Sequence, residues 1–151
     1  MSGGQRVGDA ILGRVRLCRL VAPRPTGRRD RLGEYAQAID HCTRALELLR
    51  KIGDQRGAAH TLDGIGYAHQ HLHRYRAAAD SYREASELFE ALGDVYDQAE
   101  TLGRFGEAAL TAGDPRTART AWHRAAQLFD QLGHSHAADM RANLSRLDEP
   151  A

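Results

Sequence analysis

What the sequence has little of narrows the field before any motif is read. Two cysteines, Cys18 and Cys42, occur in 151 residues, too few for a disulfide framework. Cys42 falls at a position that Tyr82 and Trp122 fill elsewhere, so it reads as a small core residue in a reduced protein, with a cytoplasmic location as the default. No apolar run approaches the roughly 20 residues of a membrane span, and Arg14, Arg16 and Arg19 interrupt the most hydrophobic part of the N-terminal stretch. Lysine is nearly missing: Lys51 stands beside twenty arginines, a pattern of coding bias rather than of selected guanidinium contacts. Also missing are a Gly-Lys-Ser/Thr phosphate loop, a Gly-x-Ser-x-Gly elbow and a His-Glu-x-x-His pair, which argues against an enzyme and leaves no motif for a cofactor.

What is present is a period of forty residues. Leu72-His73-Arg74-Tyr75 aligns with Leu32-Gly33-Glu34-Tyr35 and with Ala112-Gly113-Asp114-Pro115. The same step relates Ala38, Ala78 and Ala118; Leu48, Leu88 and Leu128; and Gly53, Gly93 and Gly133. A period between about 20 and 50 residues implies a stacked array in which each unit buries its apolar face against its neighbours. Residues 1–31 do not follow the period. They form a basic leader with eight arginines against Asp9 and Asp30, while the array carries an excess of acidic residues. Within the leader, Val7, Ile11, Val15, Cys18 and Ala22 suggest a weak helix over about 7–21, and Pro23 and Pro25 end it ahead of a linker at Thr26 to Asp30.

Apolar residues at intervals of three and four predict a helix from Glu34 to Ile52, then helices near 56–71, 75–91, 95–111 and 115–131, and a capping helix at about 135–147. Gly53 and its equivalents supply left-handed stops, Asp54 an N-cap, and Asp114-Pro115 a capped start. No strand pattern occurs. Gly66 and Gly106 sit in mid-helix, where glycine costs about 1 kcal/mol relative to alanine, so the sequence predicts that a neighbouring helix approaches closely there, near Tyr82 and Trp122. The expected fold is an all-α solenoid of antiparallel helix hairpins.

Ile65-Gly66 followed by Ala68, Tyr75, Ala78, Tyr82 and Ala85 resembles the tetratricopeptide repeat (TPR). Phe105-Gly106 with Ala108, Pro115, Ala118, Trp122 and Ala125 resembles a second copy, and Tyr35, Ala38, Cys42 and Ala45 a second helix without its first. The longer period, with Leu92-Gly93-Asp94 at the turn, is similar to the arrays of actinobacterial STAND/SARP-type regulators. The resemblance implies a right-handed solenoid and a non-catalytic, bacterial protein-interaction module that binds a peptide or helix on its concave face. Alternatives are a sensory or autoinhibitory arm of a larger transcriptional regulator and a self-associating piece that pairs through the exposed face of helix 34–52.

Carried over position by position, the resemblance places His60, Asp63, Tyr67, Gln70 and His71 on the first helix of one repeat and Glu100, Gly103, Glu107 and Thr111 on the next. Met140 and Asn143 follow on the last helix. Asp63, Glu100 and Glu107 around Tyr67 favour a basic or hydrogen-bonding peptide, and the Lys, Arg and Asn needed to clamp an acidic C-terminus are not at these positions. His69 and His73 share a helical face but lack a third ligand at a recognisable spacing, so they read as helix-end histidines rather than a metal site. The leader's arginines lack interleaved aromatics, which speaks against nucleic acid as the partner.

Overall fold

The computed structural model describes residues 28–150, with side chains from Leu32 onward. Six helices follow one another: α1 (Arg28–Lys51), α2 (Gln55–His71), α3 (Tyr75–Leu92), α4 (Val95–Thr111), α5 (Pro115–Gln131) and α6 (His136–Asp148). There is no strand among the described residues. Each helix packs chiefly on the ones before and after it in the chain, so this is an all-α, TPR-like solenoid.

The turns explain why the chain reverses where it does. Gly53, Gly93, Gly113 and Gly133 all have positive φ, the left-handed backbone that ends a helix without a Cβ penalty. The amide of Gly57 donates to the Asp54 carboxylate at 2.8 Å, and that of Thr117 to Asp114 at 3.1 Å with Pro115 opening α5. Hydrogen bonds from the Thr117 hydroxyl and amide hold the Asp114 carboxyl below its ordinary pKa. His73 takes the same turn without a glycine, at φ 58°, its Nδ1 lying 2.7 Å from the Tyr75 hydroxyl. Because an L-residue is disfavoured there by about 1 kcal/mol, His73→Gly is expected to raise stability by about 0.5 kcal/mol net of glycine's entropy and the lost exposed hydrogen bond. A lower urea midpoint in that variant would contradict this.

The start of α1 differs from the sequence reading. α1 begins at Arg28, so residues 28–30, expected as linker, are helical, and Gly33 lies inside a helix rather than at a turn. The expected boundary is carried over from the turns at His73 and Gly113, which join the two helices of a hairpin and have positive φ; at the equivalent Gly33 the helix of α1 runs on. The weak helix expected over 7–21 lies outside the described residues.

The core is a chain of small clusters between successive helices. Cys42, Leu46 and Leu49 of α1 meet Ala58, Ala59, Leu62 and Ile65 of α2 and Phe89 of α3. Ala99 and Leu102 meet Ala125, Leu128 and Phe129, closed by Ala137 of α6. Tyr82 and Trp122 are the large side chains at the glycine positions. A Cβ on Gly66 would stand 2.8 Å from the Tyr82 ring, and one on Gly106 2.4 Å from Trp122 Nε1. The mid-helix glycines therefore seat aromatic rings against backbone, as their positions predicted. Cys42 occupies the core as expected, and its sulfur is disulfide-bonded.

Candidate binding groove

Helices α2, α4 and α6 are the first helices of their pairs and carry every residue expected to line a groove. Three groups of side chains emerge, and they differ in how much of their chemistry is free.

At the centre, Asp63 is buried, with 5% of its surface exposed. A carboxylate in that position must be compensated. Arg104 of α4 reaches across and donates from Nη1 to both carboxylate oxygens at 2.8 and 2.9 Å, and the Thr101 hydroxyl adds a contact at 3.3 Å. The same guanidinium lies 3.4 Å from Glu100, which also accepts from the Tyr96 hydroxyl at 3.0 Å. Burial works against the Arg104 charge, but Asp63 and then Glu100 outweigh it and raise its pKa. Arg104 is the residue that the sequence reading missed. Its partner lies forty-one positions away, and on a single helix it looks like an ordinary surface arginine paired at i−4 with Glu100. The repeat could have revealed it, since Gly64, its equivalent in the preceding unit, bears no charge.

Toward the start of α2, His60 packs its ring edge-on to Phe89 with centroids 4.9 Å apart, and its Nε2 lies 3.7 Å from Asp97. It belongs to the packing as much as to the surface. At the other end of α2, Gln70 accepts the Tyr82 hydroxyl at 2.9 Å, and burial, followed by the nearby Asp63 charge, raises the Tyr82 pKa. His71 stacks on Tyr35 of α1 at 4.7 Å and tilts against Tyr67 at 4.3 Å. Burial and then the charge of His73 lower the His71 pKa, so this aromatic end of the face is uncharged near neutral pH.

Between α4 and α6 the surface opens. A cleft of about 300 Å³ is lined by Glu100, Gly103, Arg104, Glu107, Asp139, Met140 and Asn143, with Phe129 and His136 at its edge. Gly103 matters here: a Cβ on it would meet the Met140 sulfur at 3.3 Å, and its carbonyl accepts the Trp122 indole N–H at 3.1 Å. A second cleft of about 340 Å³ continues along Glu107, Thr111, Asn143, Arg146 and Leu147, where the Arg146 guanidinium donates to the Asn143 side-chain oxygen. Arg104 is already committed to Asp63 and Glu100, and Glu107 and Asp139 form no ion pair among the described residues. The open part of this face is thus acidic above an apolar floor.

The expected groove residues therefore divide. Asp63, His60 and Gln70 serve internal partners, Glu100 is shared with Arg104, Asn143 accepts from Arg146, and Tyr67, His71, Glu107, Thr111 and Met140 remain available. Among the described residues, no three His, Cys, Asp or Glu side chains come together as a metal site would require, and no helix is long and apolar enough to cross a membrane.

Comparison with known proteins agrees with this architecture. Residues 31–91, spanning the first three helices, match the tetratricopeptide repeat family model. The crystal structure of the TPR domain of Arabidopsis FLU aligns with a TM-score of 0.68 at 15% identity, over 82% of this chain and 98% of that one. At that identity the likeness shows the fold alone. No curated protein sequence matches the chain.

Proposed function

We propose that this TPR-like array is a non-catalytic interaction module that binds a basic peptide or helix across α2, α4 and α6. The observation that carries this reading is the open cleft between α4 and α6, where Glu107 and Asp139 lack cationic partners among the described residues while Met140 offers apolar surface. A lysine or arginine side chain suits both features, its stem lying on the floor and its head meeting carboxylate. The aromatic end at Tyr67 and His71 gives a second anchor along the same face.

The setting we favour is a bacterial cytoplasmic regulator or one arm of it. This rests on the resemblance of the forty-residue repeat and its Leu92-Gly93-Asp94 turn to regulator arrays. Self-association is a second reading, favoured by Leu48 and Ile52 of α1, which are 45% and 62% exposed. Light scattering showing a monomer at high concentration would exclude it.

Titration of the full chain with an arginine-rich peptide at low and high salt tests the main reading. Affinity should fall with salt. Glu107→Ala should weaken binding by about three- to tenfold and leave the melting temperature nearly unchanged; Tyr67→Ala should weaken binding by a similar factor and also lower the melting temperature, because its ring packs against Tyr35 and His71. Preference for an acidic peptide of equal length would reverse the assignment.

A further inference from the structure

The two clefts between α4 and α6 form one furrow with a ridge across it. Glu107 of α4 and Asn143 of α6 line both clefts, so they stand between two basins. On α4 the lining moves from Glu100 and Gly103 in the first basin to Leu110 and Thr111 in the second. On α6 it moves from Asp139 and Met140 to Arg146 and Leu147. Both helices advance toward their C-terminal ends by the same step of about six residues, which at the rise of an α-helix is about 9 Å.

The basins differ in what they can hold. In the first, Glu107 and Asp139 form no ion pair among the described residues, and the guanidinium beside them, Arg104, is committed to Asp63 and Glu100. The His136 ring at that end packs against Phe129 and His134. A cation therefore suits this basin. In the second, Leu110 is 38% exposed and Leu147 is half-buried against the cluster that contains Trp122. Arg146 stands beside them, and its charge opposes a second cation. An apolar side chain suits that one.

We propose that the segment held between α4 and α6 is extended in the polyproline II form and carries a basic residue and a large apolar residue three positions apart, one for each basin. This rests on the reading of the groove as a site for a basic partner, and it adds the spacing that such a partner needs. Polyproline II has three residues per turn and rises about 3.1 Å per residue, so side chains three apart share a face and stand about 9 Å apart. A β-strand brings same-face side chains to about 7 Å at two residues. An α-helix gives about 6 Å at four residues and about 10.5 Å at seven. The polyproline spacing meets the step between the basins, with the two side chains straddling Glu107 and Asn143.

Labelled peptides titrated into the full chain by fluorescence anisotropy test this. The set contains Arg-Pro-Leu, Arg-Pro-Pro-Leu, its reverse Leu-Pro-Pro-Arg, Arg-Pro-Pro-Pro-Leu, and an alanine-rich helical peptide with arginine and leucine seven apart. One chain direction of the three-residue spacing should bind best, about tenfold tighter than the same peptide with serine for leucine, the factor expected for burying one leucine side chain. Leu110→Ser should remove that leucine advantage without weakening the serine peptide. Asp139→Asn should weaken the arginine peptide about threefold and leave a glutamine-for-arginine peptide unchanged. Both side chains lie at the surface, so both variants should melt near the wild-type temperature. If arginine peptides bind equally at every spacing, if the helical peptide binds tightest, or if Leu110→Ser changes nothing, the spacing is overturned while the groove remains a site for a basic partner. If no arginine peptide binds, both readings fall.

Discussion

Gly106→Ala should lower the melting temperature by about 4 to 8 °C, although alanine is the better helix former by about 1 kcal/mol. The added methyl would stand 2.4 Å from Trp122 Nε1 and 2.6 Å from Cδ1. Neither is the free end of a flexible chain. The indole is 3% exposed and tied through its N–H to the Gly103 carbonyl, so turning it away breaks a buried hydrogen bond worth about 1 kcal/mol. Overpacking adds about 1 to 3 kcal/mol, and the net loss should be about 2 kcal/mol. Gly33→Ala is the control, because nothing lies within 4 Å of its Cβ position in α1. That variant should gain stability rather than lose it. A Gly106→Ala protein that melts at or above the wild-type temperature would remove the close-approach explanation.

The other large effect is expected at Arg104→Ala. Truncation leaves the Asp63 carboxylate buried with only the Thr101 hydroxyl beside it, and stranding one partner of a buried pair costs about 3 to 5 kcal/mol. The Arg104 side chain is 35% exposed, which lets water reach the vacated space, so the lower end of about 3 kcal/mol is expected. Asp63→Ala should cost less, near 1 kcal/mol, because Arg104 can turn toward Glu100 and solvent. The double variant should be more stable than Arg104→Ala alone, since it removes the stranded charge. Equal urea midpoints for Arg104→Ala and wild type would show that the pair does not join α2 to α4.

These contrasts mark what the sequence made legible. Four helices, α2 to α5, lie within about a residue of their expected spans, because each is bracketed by a turn glycine, a capping aspartate or Pro115. The Gly66–Tyr82 and Gly106–Trp122 contacts were also legible, since a glycine that survives in mid-helix needs a packing reason. The start of α1 was not, because its boundary signal was borrowed from repeats in which a turn precedes the tyrosine. Nor was the state of Asp63. On a helical wheel it shares a face with Tyr67, but its burial depends on a side chain from another repeat, a non-local pairing that periodicity does not encode. Of the three carboxylates from which an acidic groove was read, Asp63 is committed to Arg104, Glu100 is shared with it, and Glu107 is left, with Asp139 the one not foreseen. Glu107 and Asp139 carry the acidity, and Asp63 holds two helices together.

The central claim is that a basic partner lies along α2, α4 and α6. Amide chemical-shift mapping of the full chain on addition of an arginine-rich peptide tests it most directly. The account predicts shifts clustered at Gly103, Glu107, Asp139, Met140 and Asn143, extending to Tyr67 and His71, and diminished in Glu107→Ala. Shifts confined to the outer faces of α1, α3 and α5, with the α4–α6 cleft unmoved, would contradict it.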